Sequence, residues 1–327
     1  MSKRLKIAVL GPIPRDRIVT HQGENFEKYG CASYTAAALS ALLGDSGEVH
    51  PICHVRKRDE GPVKELLGQF PNVDLKGITS ELDQGDVVQL TYLDQNRRLE
   101  RQTGFMDPIL PEDLASVLDA DAFVCVPITD YQVSRATLKY IKQNSKGVTI
   151  LDAHGPTSCL TRSGERHHRF WADRDSWLPY IDILKMNLEE AACSWFDAEY
   201  SAEDLRDVEQ LAMDDLPRFA KHCLDRGVKA LCVTLDQHGC VVYFRDESGA
   251  IREYVVKRVP VEKVVDTTGC GDSFAGGLAF GYLRHRDFVK ACQYGNAVGA
   301  QRCVSSQIAI YKSLEETDRQ IAETYGA

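Results

Sequence analysis

The chain has 327 residues, 43% hydrophobic and 27% charged, which is enough for one large α/β domain or two domains around a substantial core. Its formal charge of −9 disfavours nucleic acid as a partner, and its apolar runs stay short of the roughly 20 residues that span a bilayer. Eleven scattered cysteines without a Cys-x-x-Cys pair point to reduced thiols, and with a start (Met1-Ser-Lys-Arg-Leu-Lys6) that lacks a signal-peptide core they predict a cytoplasmic enzyme.

In chain order, Leu5–Leu10 reads as a buried strand and Ala32–Leu43 as a helix of small residues. Residues 86–93 and 97–103 flank Asp94-Gln-Asn96 and predict a hairpin, to which 17–20 can add a further strand. Residues 124–126, 148–151, 181–185 and 230–235 predict more strands, separated by segments long enough for helices. Such alternation implies an α/β fold with a mostly parallel sheet covered on both faces. Residues 162–175, with His167 and His168, read as a solvated loop running into a helix, with no carboxylate or cysteine at ligand spacing. A second hairpin is predicted from 240–244 and Ile251–Val256 around a turn at 246–249.

The most informative stretch is Asp266-Thr-Thr-Gly-Cys-Gly-Asp272, followed by the small-residue helix that starts Ser273-Phe-Ala-Gly-Gly. The glycines let the N–H groups of Gly269, Cys270 and Gly271 crowd together at the positive end of a helix, where an anion such as phosphate binds. A carboxylate at Asp272 would repel phosphate, so its placement makes sense as a base for a hydroxyl attacking the phosphoryl group held by the cradle.

This stretch resembles the second signature of the ribokinase-like (PfkB-type) carbohydrate kinases, Asp-Thr-x-Gly-Ala-Gly-Asp, with Cys270 in place of alanine. The resemblance implies a three-layer α/β/α fold with a small β-sheet lid. It implies one kinase domain over 1–327, the lid formed roughly by 12–30 and 74–105. Gly11-Pro-Ile-Pro-Arg-Asp16 follows the first strand, and the resemblance gives Asp16 the role of accepting substrate hydroxyls. Gly30-Cys-Ala-Ser-Tyr-Thr35 is similar to the first signature, Gly-Gly-x-x-x-Asn. Cys31 replaces the second glycine and Thr35 the asparagine, both in the implied substrate pocket. Asn187-Leu-Glu-Glu190 is similar to the Asn-x-x-Glu motif that organises Mg²⁺ through water; the same spacing also suits a helix capping box. Thr234, Gly239, Thr267 and Asn296 are the implied nucleotide contacts, with Asp236 standing where the family has a glycine. The Asp266 carbonyl is a candidate ligand for a monovalent cation, but the segment after Cys303 lacks the glycine many relatives use there, so K⁺ dependence stays open.

The implied reaction is ATP- and Mg²⁺-dependent phosphorylation of a small polyhydroxylated acceptor. A sugar or sugar acid comes first, a nucleoside or inositol second, and an idle ligand-binding relative is the alternative from another class. Alternation along 86–93 places Val87, Gln89, Thr91 and Leu93 on one face and Val88, Leu90 and Tyr92 on the other. With apolar residues on both faces, a homodimer through the lid is expected to cover the outer one.

Overall fold

The structure is a computed structural model that describes residues 4–20, 22–93, 98–195 and 208–326. The chain opens with β1 (Leu5–Leu10), leaves for β2 (Arg15–Val19) and β3 (Asn25–Tyr29), and returns through α1 (Ala32–Leu43) to β4 (Gly47–His54). After α2 (Lys57–Gly68) and the short β5 (Ile78–Thr79), a second excursion builds β6 (Val87–Tyr92) and β7 (Arg98–Gly104). Alternation then resumes with β8 (Ala122–Cys125), α3 (Arg135–Asn144) and β9 (Val148–Asp152), followed by a ribbon of β10 (Ser158–Leu160) and β11 (Arg166–His168). Next come β12 (Ile183–Asn187), α4 (Leu188–Ser194), α5 (Val208–Leu224) and β13 (Ala230–Thr234). The chain closes with β14 (Cys240–Arg245), β15 (Ile251–Val256), α6 (Cys270–His285), α7 (Phe288–Cys303) and α8 (Leu314–Tyr325).

The main sheet runs β15-β14-β13-β12-β9-β8-β1-β4-β5, with every strand parallel except β14. Its strands are buried on both faces because helices cover both. Ile7 and Val9 of β1 enter one apolar core with α1, α6 and α7, while Ala8 and Leu10 enter the other. From β1 the chain goes first to β4 on one side and later to β8 on the other. The crevice at the carboxyl ends of β1 and β8 is therefore the switch point where open α/β sheets take ligands.

A separate four-stranded sheet, β3-β2-β6-β7, stands beside this edge. The expected hairpin is present as β6 and β7, and its turn falls outside the described residues. β3, whose residues Asn25-Phe-Glu-Lys-Tyr29 are mostly exposed, carries too little apolar alternation to be predicted as a strand; it forms by pairing with β2. Register places Ile18, Val88 and Leu90 on the inner face, where they are buried together against Ile128. Arg15, Arg17 and Glu27 pair as ions on the other face, and Val87 is only 1% exposed. The apolar strip expected outside thus reduces to Leu93 and Leu99, at 55% and 60% exposure. The loop expected around His167 and His168 is instead the strand β11, and His168 bonds Glu189 at 3.1 Å.

Candidate active site

Helix α6 starts at Cys270 because Gly269 adopts a left-handed backbone, φ 83° and ψ 3°, which swings the chain into the helix. A Cβ there would overlap the ring of Tyr34, so the position needs glycine for space as well as for conformation. Ser273 donates to the Gly269 carbonyl at 2.6 Å and bonds Tyr311 at 2.6 Å, and Cys270 N–H donates to the Thr267 carbonyl at 3.2 Å. These bonds hold the turn so that the helix N-terminus, with Asp272 in its first turn, faces the crevice.

Beneath the turn lies a group of charges that sequence reasoning missed. Lys185 Nζ donates to Asp152 Oδ2 at 2.6 Å, and both residues are almost fully buried. A Cβ on Gly271 would meet Lys185 Nζ at 3.1 Å, so this ammonium adjoins the amide cradle. Burial pushes Asp152 up to about 6, against the pull of Lys185. It also raises Asp272 above the ordinary carboxylate range, with Lys185 and His154 pulling the other way. Burial acts to neutralise Lys185, but Asp152 and Glu190 outweigh it and keep the ammonium charged. Asp152 ends a strand at the ligand-binding edge, a position that could have marked it in the sequence.

Asn187 and Glu190 form a capping box on α4: Asn187 Oδ1 accepts from Glu190 N at 2.7 Å, and Glu190 Oε2 accepts from Asn187 N at 2.8 Å. The spacing that suggested metal organisation is thus also used as a helix start. The other oxygen of Glu190 contacts His154 Nδ1 at 3.0 Å, which ties the cap to the charged group.

On the acceptor side, Asp16 is buried on β2, and a Cβ on Gly30 would come within 2.5 Å of Asp16 Oδ2; glycine lets the two segments close. Cys31 has φ 50° and ψ −112°, a backbone usually reserved for glycine, and its thiol donates to the Val126 carbonyl at 3.1 Å. Burial first, then the carboxylates of Asp272, Asp152 and Asp16, push this thiol well above its ordinary value, so the structure gathers these groups at one point. Thr35 is completely buried and donates to the Asp272 carbonyl at 2.9 Å. Its hydroxyl joins α1 to α6, whereas the sequence reading had placed it on substrate.

The nucleotide-side residues separate in role. Thr234 ends β13 and donates to the Met186 carbonyl at 3.4 Å. Gly239 takes φ 95°, and a Cβ there would lie 2.6 Å from Arg258 N; Asp236 holds φ 47° without being glycine. Thr267 is exposed. Asn296 donates to the Val256 and Lys257 carbonyls at 3.2 and 2.9 Å and so fastens α7 to the end of β15.

Asp266 does more than its carbonyl suggested. Burial would push its carboxyl up, but Lys28 at 2.5 Å, the Thr268 N–H at 2.9 Å and Arg302 at 2.8 Å hold it at about 2. Arg302 is fully buried and stacks over Tyr34 with its guanidinium carbon 4.6 Å from the ring centre. Since Lys28 belongs to β3, the pair bridges the small sheet to the glycine turn; Tyr92 and Thr268, 3.3 Å apart, make a second bridge.

Comparison with known proteins agrees with this geometry. The sequence model for the pfkB family carbohydrate kinase matches residues 149–313. A sugar kinase of Archaeoglobus fulgidus is 36% identical over 99 residues, 30% of this chain and 37% of that protein. The acarbose 7(IV)-phosphotransferase of Actinoplanes is 30% identical over 146 residues, 44% of this chain and 47% of that protein. These matches span less than half the length of either relative. Among solved structures, the Burkholderia thailandensis nucleoside kinase in complex with inosine superposes with a TM-score of 0.72 at 19% identity, over 98% of this chain and 99% of that one. The Arabidopsis thaliana ribokinase complexed with ribose and ATP gives 0.71 at 17% identity, over 98% and 99%. Likeness at such identity shows the fold, a ribokinase-like α/β/α arrangement with a separate small sheet.

Proposed function

The chain belongs to the pfkB family of carbohydrate kinases, and from that membership we propose that it transfers the γ-phosphoryl group of ATP to a hydroxyl of a small polyhydroxylated acceptor, a sugar or sugar acid. One observation carries the reading: Gly269, Gly271 and the Asp272 carboxylate share the first turn of α6, and a Cβ on Gly271 would meet the Lys185 ammonium at 3.1 Å. The amides and Lys185 receive the γ-phosphate and stabilise the charge that develops on it. Asp272 takes the proton of the acceptor hydroxyl, and its raised affinity for protons brings it closer to the range of an effective base. Asp16 positions the acceptor from β2, and the small sheet, as a lid, excludes water that would otherwise hydrolyse ATP.

The residues present fit Mg²⁺ best through water, because both Glu190 oxygens and Asn187 Oδ1 already have protein partners. When bound, the ion would neutralise charge on the phosphates. The Asp266 carbonyl is the candidate monovalent-cation ligand, tested by exchanging K⁺ for Na⁺. We also propose a cytoplasmic enzyme and a homodimer through the small sheet, the contact resting on Leu93 and Leu99; a single species of chain mass in sedimentation would end the dimer.

A nucleoside acceptor is the second reading, favoured by Tyr92, whose partly buried ring, at the edge of the apolar cluster of Ile18, Val88 and Leu90, offers a nucleobase a stacking face. ADP release across sugars, sugar acids, nucleosides and inositol decides between them. Release with no acceptor, alongside intact nucleotide binding, would identify an idle relative.

A further inference from the structure

Cys270 and Cys303 are half-buried, and their sulfurs lie 3.0 Å apart. Cys232 and Cys292, at 3.5 Å, are also neighbours but are completely buried, out of reach of a solute. Cys193 is half-buried too, yet burial pushes its thiol up to about 11, which leaves little thiolate at neutral pH. Cys303 differs: it is half-buried and its sulfur already touches a second half-buried thiol, so both are within reach of a small oxidant.

One cysteine lies on the glycine turn and the other beside it on a different helix. Cys270 opens α6 between the two glycines of the turn, while Cys303 ends α7. The Cys303 carbonyl accepts from Val265 N at 2.7 Å and Asp266 N at 3.2 Å, so it anchors the segment that leads into the turn.

We propose that Cys270 and Cys303 are a peroxide-oxidised thiol pair whose disulfide switches off the phosphoryl site, an inference resting on the reading of Gly269–Gly271 as the cradle. The Cys303 thiolate attacks one oxygen of hydrogen peroxide; the O–O bond breaks, and the departing hydroxide takes up a proton to leave as water. The resulting sulfenic acid is attacked at sulfur by Cys270; the S–O bond breaks, and the hydroxyl leaves as water with the Cys270 proton. Two thiols and one peroxide become one disulfide and two waters, and an added dithiol reverses the change. Contraction from 3.0 Å to a bond of about 2.05 Å draws the first residue of α6 toward the end of α7. Misplacing groups by about 1 Å at a reacting centre costs on the order of 10²-fold in rate.

The test treats the full chain with hydrogen peroxide, maps linked peptides by mass spectrometry and follows ADP release. The expected result is a dithiothreitol-reversible link between 270 and 303, with turnover lost in proportion to the linked fraction, by about tenfold or more at completion. Cys303→Ser keeps its untreated rate and resists peroxide; Cys303→Ala replaces it should the serine variant fail to fold. Peroxide that oxidises other thiols without making this link, or a complete link with unchanged turnover, overturns the proposal. The mapped link does not depend on turnover, so a reduced protein that releases no ADP with any acceptor counts against the kinase reading alone.

Discussion

The two signature segments meet at one site but solve the same backbone problem differently. At 266–272 a left-handed residue is required, and Gly269 supplies it without strain. At 30–35 a glycine-like conformation is also required, and Cys31 adopts it at φ 50° and ψ −112°. Such a backbone costs on the order of 1–3 kcal/mol and persists only where the surroundings over-determine it. Here they do so through the bond from its thiol to the Val126 carbonyl, the Ala32 N–H to the Pro12 carbonyl at 3.1 Å and the buried helix α1 that follows. Both segments are held by distant contacts, but only Cys31 needs them to keep a backbone that its own side chain disfavours.

The strongest way to break that contrast is Asp272→Asn. Turnover is expected to fall about 10² to 10⁴-fold while ADP affinity stays near normal, because the amide cradle is intact. Near wild-type turnover on the best acceptor would remove Asp272 as the base.

Next in size is Lys185→Met, which strands Asp152 without its partner and takes a cation from beside the cradle. Urea unfolding should show a loss of about 3–5 kcal/mol, with weaker nucleotide binding by calorimetry. If stability drops and nucleotide affinity does not, Lys185 serves the core and not the phosphate.

A third prediction concerns the root of the small sheet. Asp86 is buried and accepts from Met106 N at 2.7 Å and Gln102 at 3.0 Å, and burial pushes it up to about 7. The fold favours its protonated form, so its stabilising contribution is complete below the ordinary aspartate value and is lost as pH rises through about 7. Between about pH 5 and pH 8 this amounts to about 2–3 kcal/mol, read as the difference in urea stability between wild type and Asp86→Asn. Parallel pH profiles for the two proteins would show that Asp86 stays charged.

The smallest effect is expected for Glu190→Gln. Glutamine can still accept from Asn187 N, so the melting temperature should shift little, while the Mg²⁺ concentration for half-maximal rate rises by up to about tenfold. A lowered melting temperature with unchanged Mg²⁺ dependence would make the pair a helix cap and nothing more.

What the sequence determined by itself is what short-range physics encodes. Runs such as Leu5–Leu10 must be buried on both faces, and Gly269 supplies by itself the left-handed residue that starts α6. The hairpin of β6 and β7 is likewise written in local alternation. Only the tertiary structure decided which partner each polar side chain takes. Lys28 and Asp266 are 238 residues apart in sequence and meet at 2.5 Å; Thr35 spends its hydroxyl on a carbonyl 237 residues away. β3 is a strand because β2 lies beside it, and Lys185 keeps its charge in the core because β9 brings Asp152 within 2.6 Å. A buried charge or hydroxyl must find a partner, but several candidates are chemically equivalent along the chain, and only packing brings one of them into reach.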